Sequence, residues 1–220
     1  MAEIHILGQI VEGREFSSEG LFCRYGIVTG DRRDEPSRWR LLGGEESGQS
    51  HAVFPDVDDV HAICQPIDVH YAVSSIQGWP KIFVQVWGQS HDGTNDLRKY
   101  NSCPGSALVV YPPTLPTSTP HTYPFVANSE GYGFVSVPMA SGSYDLSIRT
   151  WRPIGSFRDE ITSVLVGGHP QVTAEEIIYN DDDRFRLKTE STGEIIIHLE
   201  ILHKDFERRG IVFNENVPLF

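Results

Sequence analysis

Apolar and polar side chains alternate in short runs along most of this chain, and each run is stopped by glycine, proline, serine or acidic residues. A period of two puts successive side chains on opposite faces of a strand, so such runs build half-buried sheets. Ile4–Val11 carries Ile4, Ile6 and Ile10 on one face, with Leu7 and Val11 making the second face partly apolar. Leu21–Thr29 places Leu21, Cys23, Tyr25 and Ile27 together, and Trp39–Leu42 is a short apolar return. Ile67–Val73 sets Ile67, Val69, Tyr71 and Val73 against Asp68 and His70. Lys81–Gln89 sets Ile82, Val84 and Val86 against Phe83, Gln85 and Trp87. Tyr132–Val137, Ser143–Thr150, Thr173–Tyr179, Arg184–Thr189 and Glu194–Leu202 complete the predicted strands. Many short strands at turn-punctuated spacing favour an antiparallel β-sandwich over an α/β sheet.

Three stretches depart from the pattern. Gly43–Val60 is rich in glycine, serine and acid and reads as a loop. His91–Glu130 holds six of the fourteen prolines, so it reads as a long excursion, because proline cannot donate in a ladder and blocks helix interiors. Ser143–Pro170 begins as a strand and breaks at Trp151-Arg152-Pro153-Ile154-Gly155. It then predicts a helix over Phe157–Val166, with Ser156 as cap, Asp159 and Glu160 in the first turn, and Gly167-Gly168 as the stop. Trp151 is expected to plug the core and Arg152 to face a partner.

At 220 residues, with 39% hydrophobic and 22% charged side chains, the chain suits a single folded domain. Its net charge of −12 repels phosphate backbones, so nucleic acid is an unsuitable partner and anionic membrane a poor one. Cys23, Cys64 and Cys103 are odd in number and lack C-x-x-C spacing, which fits a reducing compartment better than a disulfide framework or a zinc site. Glu3 and His5 interrupt the N-terminal apolar run that a signal peptide needs. An intracellular, soluble chain is the expectation.

Catalytic signatures are missing from this sequence. Neither Gly142-Ser143 nor Gly155-Ser156 has the second glycine of a nucleophile elbow, and there is no H-E-x-x-H. Asp68/His70 and His198/Glu200 each place two polar groups on one strand face, a spacing that suits metal ligands or an acid–base pair but is commoner on a solvated sheet. Asp56/Asp58/Asp59, Asp92/Asp96 and Asp181-Asp182-Asp183 lie in predicted loops and would hold calcium only if the fold brought them together. No catalytic residue, cofactor or metal is therefore assigned.

The interaction candidates are apolar. Phe83 and Trp87 stand opposite the core face of their strand and must be covered by the chain itself or by another protein. Leu108, Val109, Val110 and Tyr111 form an apolar patch leading into a proline run, suited to lying against a sheet edge or in a groove. With Arg152 these are the candidate interface residues.

The pieces GQI, LFCRYGIVTG, W-x-LL-x-G, PIDVHYA, QGWPKIFVQVW, GYGFVSVP, TWRPIGS, LVGGHPQ and HLEIL-x-KDFERRGI follow one another here in an order that resembles the B9 domain family. The resemblance covers Met1–Ser90 and Gly131–Ile211 and is most specific at QGWP and TWRP. It implies an all-β, C2-like antiparallel sandwich with one short helix. One domain is expected over residues 1–213, interrupted by a proline-rich insertion at about 96–130 and followed by a tail at 214–220. It further implies a non-enzymatic subunit of the tectonic-like (Meckel) complex at the ciliary transition zone and basal body. There the family works with other B9-domain proteins (B9 domain-containing protein 1, the Meckel syndrome type 1 protein) and with tectonic and transmembrane proteins. The complex gates membrane-protein entry and supports ciliogenesis, with membrane contact indirect. A peripheral C2-type lipid-binding module at the ciliary base is the alternative; a carbohydrate-binding or hydrolytic sandwich is remote.

Overall fold

The computed structural model describes residues 1–30, 38–56, 58–89, 127–155, 171–180, 185–211 and 213. Among the described residues there are nine strands: β1 (Ala2–Arg14), β2 (Gly20–Val28), β3 (Trp39–Gly44), β4 (Ser47–Gln49), β5 (His61–Val73), β6 (Lys81–Gln89), β7 (Ala127–Ser136), β8 (Gly142–Pro153) and β9 (Thr189–Lys204). A single turn of helix, α1 (Glu176–Tyr179), precedes β9, and a 3₁₀ turn (Glu207–Arg209) follows it. The strands form one antiparallel sheet in the order β3-β5-β1-β9-β8-β7-β6-β2-β4. The sheet curls until its two halves face each other, because Ile4, Ile6, Ile197 and Leu199 from one half share a buried cluster with Leu21, Cys23, Ile82 and Val84 from the other. It is the antiparallel sandwich expected from the pattern, of the C2-like kind that the family resemblance implies.

The halves meet at a corner and along a seam. At the corner, β7 and β8 share one paired position, Tyr132 opposite Trp151, where the sheet turns from one layer into the other. Along the seam, the chain between β3 and β4 crosses from one layer to the other. The Ile27 N–H donates to the Glu46 carbonyl, and the Glu45 N–H donates to the Asp68 carbonyl. The Tyr25 hydroxyl donates to the Pro66 carbonyl across the same gap.

The alternation delivers the core as expected. In β9, Ile195, Ile197, Leu199 and Ile201 are fully buried, while Glu194, His198 and Glu200 face outward. Burying such a side chain is worth about 1.5–3 kcal/mol, so this one strand supplies a large part of the apolar driving force. A bulge between Arg149 and Trp151 changes the phase of β8. Leu146 and Ile148 pack with the main core, whereas Trp151 is buried in a second cluster with Phe83, Tyr132 and Ile178.

Several expected boundaries differ. Thr173–Tyr179 is not a strand, because its last four residues form α1, and Ile178 is the buried residue of that turn. Residues 185–187 form a turn, and β9 begins at Thr189. Within the expected loop Gly43–Val60, Ser47–Gln49 pairs with β2, and Val53 bridges Leu21. The last four residues of the expected excursion belong to β7. The expected helix over Phe157–Val166 and the rest of the insertion lie outside the described residues. Helical residues are described only at α1 and the 3₁₀ turn, and no described helix is long and apolar enough to cross a membrane.

The QGWP motif makes a corner. Gly78 has φ 67°, and a Cβ there would strike the Gly30 backbone. The Gly30 N–H donates to the Gly78 carbonyl at 2.9 Å. Trp79 donates its indole N–H to the Val137 carbonyl and meets Trp39 edge-on, with ring centroids 5.2 Å apart. Trp39 in turn donates to the Gln77 carbonyl. Beyond this corner, His203 packs between Phe206 and Phe213, at 4.7 and 4.8 Å, with Trp79 edge-on at 6.3 Å. Its Nε2 is buried without a hydrogen-bond partner, and burial holds its pKa below the usual 6.5.

Two outcomes follow from this corner. Gly78→Ala should cost about 2–4 kcal/mol in chemical denaturation, since it combines a left-handed φ with a backbone collision; an unshifted midpoint would show that the corner does not hold the layers. His203 binds a proton less readily folded than unfolded. Its contribution is therefore present above about pH 6.5 and is lost as pH falls through the depressed folded pKa. His203→Phe should lose less stability between pH 7 and pH 5 than the parent chain, as read from melting curves at each pH.

Candidate interaction surface

β6 is sandwiched on both faces. Ile82, Val84 and Val86 enter the main core, and Phe83 and Gln85 on the opposite face are also buried. The opposite face is covered by residues 171–180 of the same chain. Tyr179 stacks on Phe83 with centroids 5.4 Å apart, and Val172 and Ile177 pack beside it. Polar contacts pin this cover. Gln85 Nε2 donates to Glu175 Oε1 at 3.1 Å, Lys81 Nζ donates to the Tyr179 carbonyl at 3.3 Å, and the Val172 N–H donates to the Tyr132 hydroxyl at 3.2 Å. Phe83 was expected to need a cover, and its own chain supplies one. Gly26, directly opposite, leaves room for the Phe83 ring, which a Cβ would strike.

Trp87 stands at the other end of this face and is half-buried. Register places Phe22 opposite it on β2, and the two rings stack at 6.3 Å with planes 11° apart. The Arg24 guanidinium lies 5.8 Å from the indole centroid, a cation–π placement, and its Nε donates to Gln49 Oε1 on β4 at 2.8 Å. The indole N–H of Trp87 is buried without an acceptor, and so is the hydroxyl of Ser129, its partner on β7. Leaving a buried donor unpaired costs about 1–3 kcal/mol. The patch thus presents the half-buried Trp87 indole and Arg24 guanidinium over the buried Phe22 ring, next to the edge strand β4. Sequence reasoning singled out Trp87 but missed Phe22 and Arg24. The signal was their position on the polar-looking face of β2, readable only once β2 is known to pair with β6.

Arg152 is half-buried and forms an ion pair with Glu190, directly opposite on β9. Leu108, Val109, Val110 and Tyr111 lie outside the described residues. Elsewhere the apolar exposure is scattered, with Leu41 and Leu42 on the edge strand β3 at 40% and 42%.

The strand-face pairs do not join as their spacing suggested. His198 bonds Asp145 across the strand pair, with Nδ1 2.6 Å from Oδ1, and its Nε2 lies 3.3 Å from Ser143 Oγ. The order Ser, His, Asp mimics a hydrolase relay, yet Asp145 is 81% exposed and the trio lies on an open sheet face. Such a site neither excludes water nor concentrates oxyanion donors, so it lacks the stabilisation that acyl transfer needs. His70 turns to His5 and Glu3 instead of Asp68. Asp56 and Asp59 close a tight turn, with the Asp59 N–H donating to the Asp56 carbonyl. Asp92, Asp96 and Asp181–Asp183 lie outside the described residues.

A family model described as "Ciliary basal body-associated, B9 protein" matches residues 4–202. B9 domain-containing protein 2 of Homo sapiens is 34% identical over 96% of this chain and 99% of that relative. The Drosophila melanogaster protein of that name is 29% identical over 97% and 99%. B9 domain-containing protein 1 of Mus musculus is 23% identical over 93% of this chain and 83% of its own length. Among solved structures, the C2A domain of a plant extended synaptotagmin 1 aligns over 92% of this chain and 94% of its own, at 8% identity and a TM-score of 0.37, too loosely to argue from. Spanned almost end to end by the family model, and a third identical to full-length relatives, the chain belongs to the ciliary basal body-associated B9 family.

Proposed function

We propose that this chain is a non-enzymatic structural subunit of the ciliary transition-zone complex of the tectonic-like, Meckel type. It binds other B9-domain proteins, B9 domain-containing protein 1 and the Meckel syndrome type 1 protein among them, on the cytoplasmic side of the ciliary base. Through them it joins the tectonic and transmembrane components that gate membrane-protein entry and support ciliogenesis. Family membership supports the ciliary setting.

The observation that carries the binding role is the Trp87–Phe22–Arg24 patch. Aromatic rings beside an arginine are the residue types that dominate interface energetics. Next to the patch, β4 ends the sheet with three residues, and β3 ends it on the other side with six. Short edges resist indiscriminate strand pairing yet remain available to a matched partner. Arg152 and the Leu108–Tyr111 segment are secondary contact candidates.

A peripheral lipid-binding role fits less well. The chain carries a net charge of −12, and Arg152, Lys204 and Arg208 are each engaged by a carboxylate. Co-expression with a B9-domain sibling tests both readings. The expected result is a heteromer burying more than about 1,200 Å². Trp87→Ala should weaken it about 30-fold or more, as anchor truncations do, whereas Trp87→Phe, which keeps an aromatic ring at the position, should weaken it less. A chain that stays monomeric beside its siblings, and instead floats with liposomes at physiological salt, would overturn the proposal.

A further inference from the structure

Glu3, His5 and His70 come together on the outer face of the larger half of the sheet, away from the Trp87 patch. β1 sets Glu3 and His5 two residues apart, hence on one face, and register puts His70 directly opposite His5 on β5. The two imidazoles stack with centroids 3.6 Å apart and planes 20° apart, and His70 Nε2 lies 3.2 Å from Glu3 Oε2. One ligand atom from each residue lies within 4.8 Å of the other two, and all three side chains are partly buried. Among the described residues this is the one group of three or more histidine, cysteine or carboxylate ligands that converges in this way.

We propose that these three residues form a binding site for a borderline divalent cation, Zn²⁺ above all. Two imidazoles and one carboxylate make the N₂O donor set that zinc takes when a fourth position is left to water or a further ligand. Ligand atoms around tetrahedral zinc stand about 3.4 Å apart, given bonds of roughly 2.0–2.1 Å, and imidazole lone pairs lie in the ring plane, so binding requires the stacked His5 and His70 rings to rotate out of their near-parallel arrangement until their nitrogens converge. The fourth position has room. Gly43 lies opposite His70 on β3, and a Cβ added there would meet nothing within 4 Å. On the other side, register sets the exposed Leu202 beside His5 as an apolar wall.

Lys204 gives the site a built-in competitor. It sits opposite Glu3 on β9, with Nζ 2.9 Å from Glu3 Oε2, and neutralises the carboxylate when no metal is present. A bound cation displaces this ammonium, so the lysine sets a threshold for occupancy. The stacked histidines then have a role that the fold does not require of them, since their faces carry no part of the core.

The test is titration of the untagged full chain with Zn²⁺ against a chromophoric chelator, with folding checked by circular dichroism. One equivalent should bind. His5→Ala and His70→Ala should each weaken binding about tenfold or more, with Glu3→Gln as a shape-preserving third variant. Lys204→Met should strengthen binding several-fold, and His198→Ala should leave it unchanged. Absence of stoichiometric binding, retention of full affinity in the His5/His70 double variant, or equal loss in His198→Ala would each overturn the site.

Discussion

The pairing of β9 between β1 and β8 holds the molecule together. Glu3 lies opposite Lys204, and the ladder runs from there to Arg14 opposite Glu194, so the two ends of the fold are joined along their whole length. From Gly193 to Ile201 every second residue of β9 enters the core from this central position. Closing a loop of some two hundred residues is entropically slow but adds only logarithmically to the cost in stability. The isoleucines of both strands offset that cost together, because neither strand can bury its apolar face without the other.

Two corners then decide how the sheet curls. At QGWP a left-handed glycine lets two backbones touch, and two perpendicular tryptophans donate their indole N–H groups to carbonyls of the turn and of the chain after β7. At TWRP a bulge changes the phase of β8 so that Trp151 leaves the main core for the second cluster. Each motif combines a backbone requirement with a large side chain in a closed space, which few other residue combinations can meet.

The second cluster turns a plain sheet face into a layered one. Among the described residues, 171–180 pack on Phe83, whereas Trp87 meets Phe22 and Arg24, so two aromatics on one strand face have different neighbours. The covered ring stabilises the domain.

Period-two alternation, read without any structure, assigned the inward faces of β1, β2, β5 and β6 and the presence of β8 and β9, since burial of alternate side chains follows directly from strand geometry. It misplaced the segment before β9, where a single helical turn buries Ile178 and pattern over so few residues has no distinguishing period. It also missed β4, because three glycine- and serine-rich residues owe their pairing to β2 and to the crossing of the seam. The family was legible in the motifs. The partners of His70, His198, Trp87 and Arg24 were not, because spacing along a strand fixes which face a side chain takes, and only the register between strands fixes what it meets there. Sequence therefore determined the sandwich and its core, through local periodicity and local turn chemistry. Tertiary structure alone decided which outward-facing groups converge, because that depends on pairings between residues far apart in the chain.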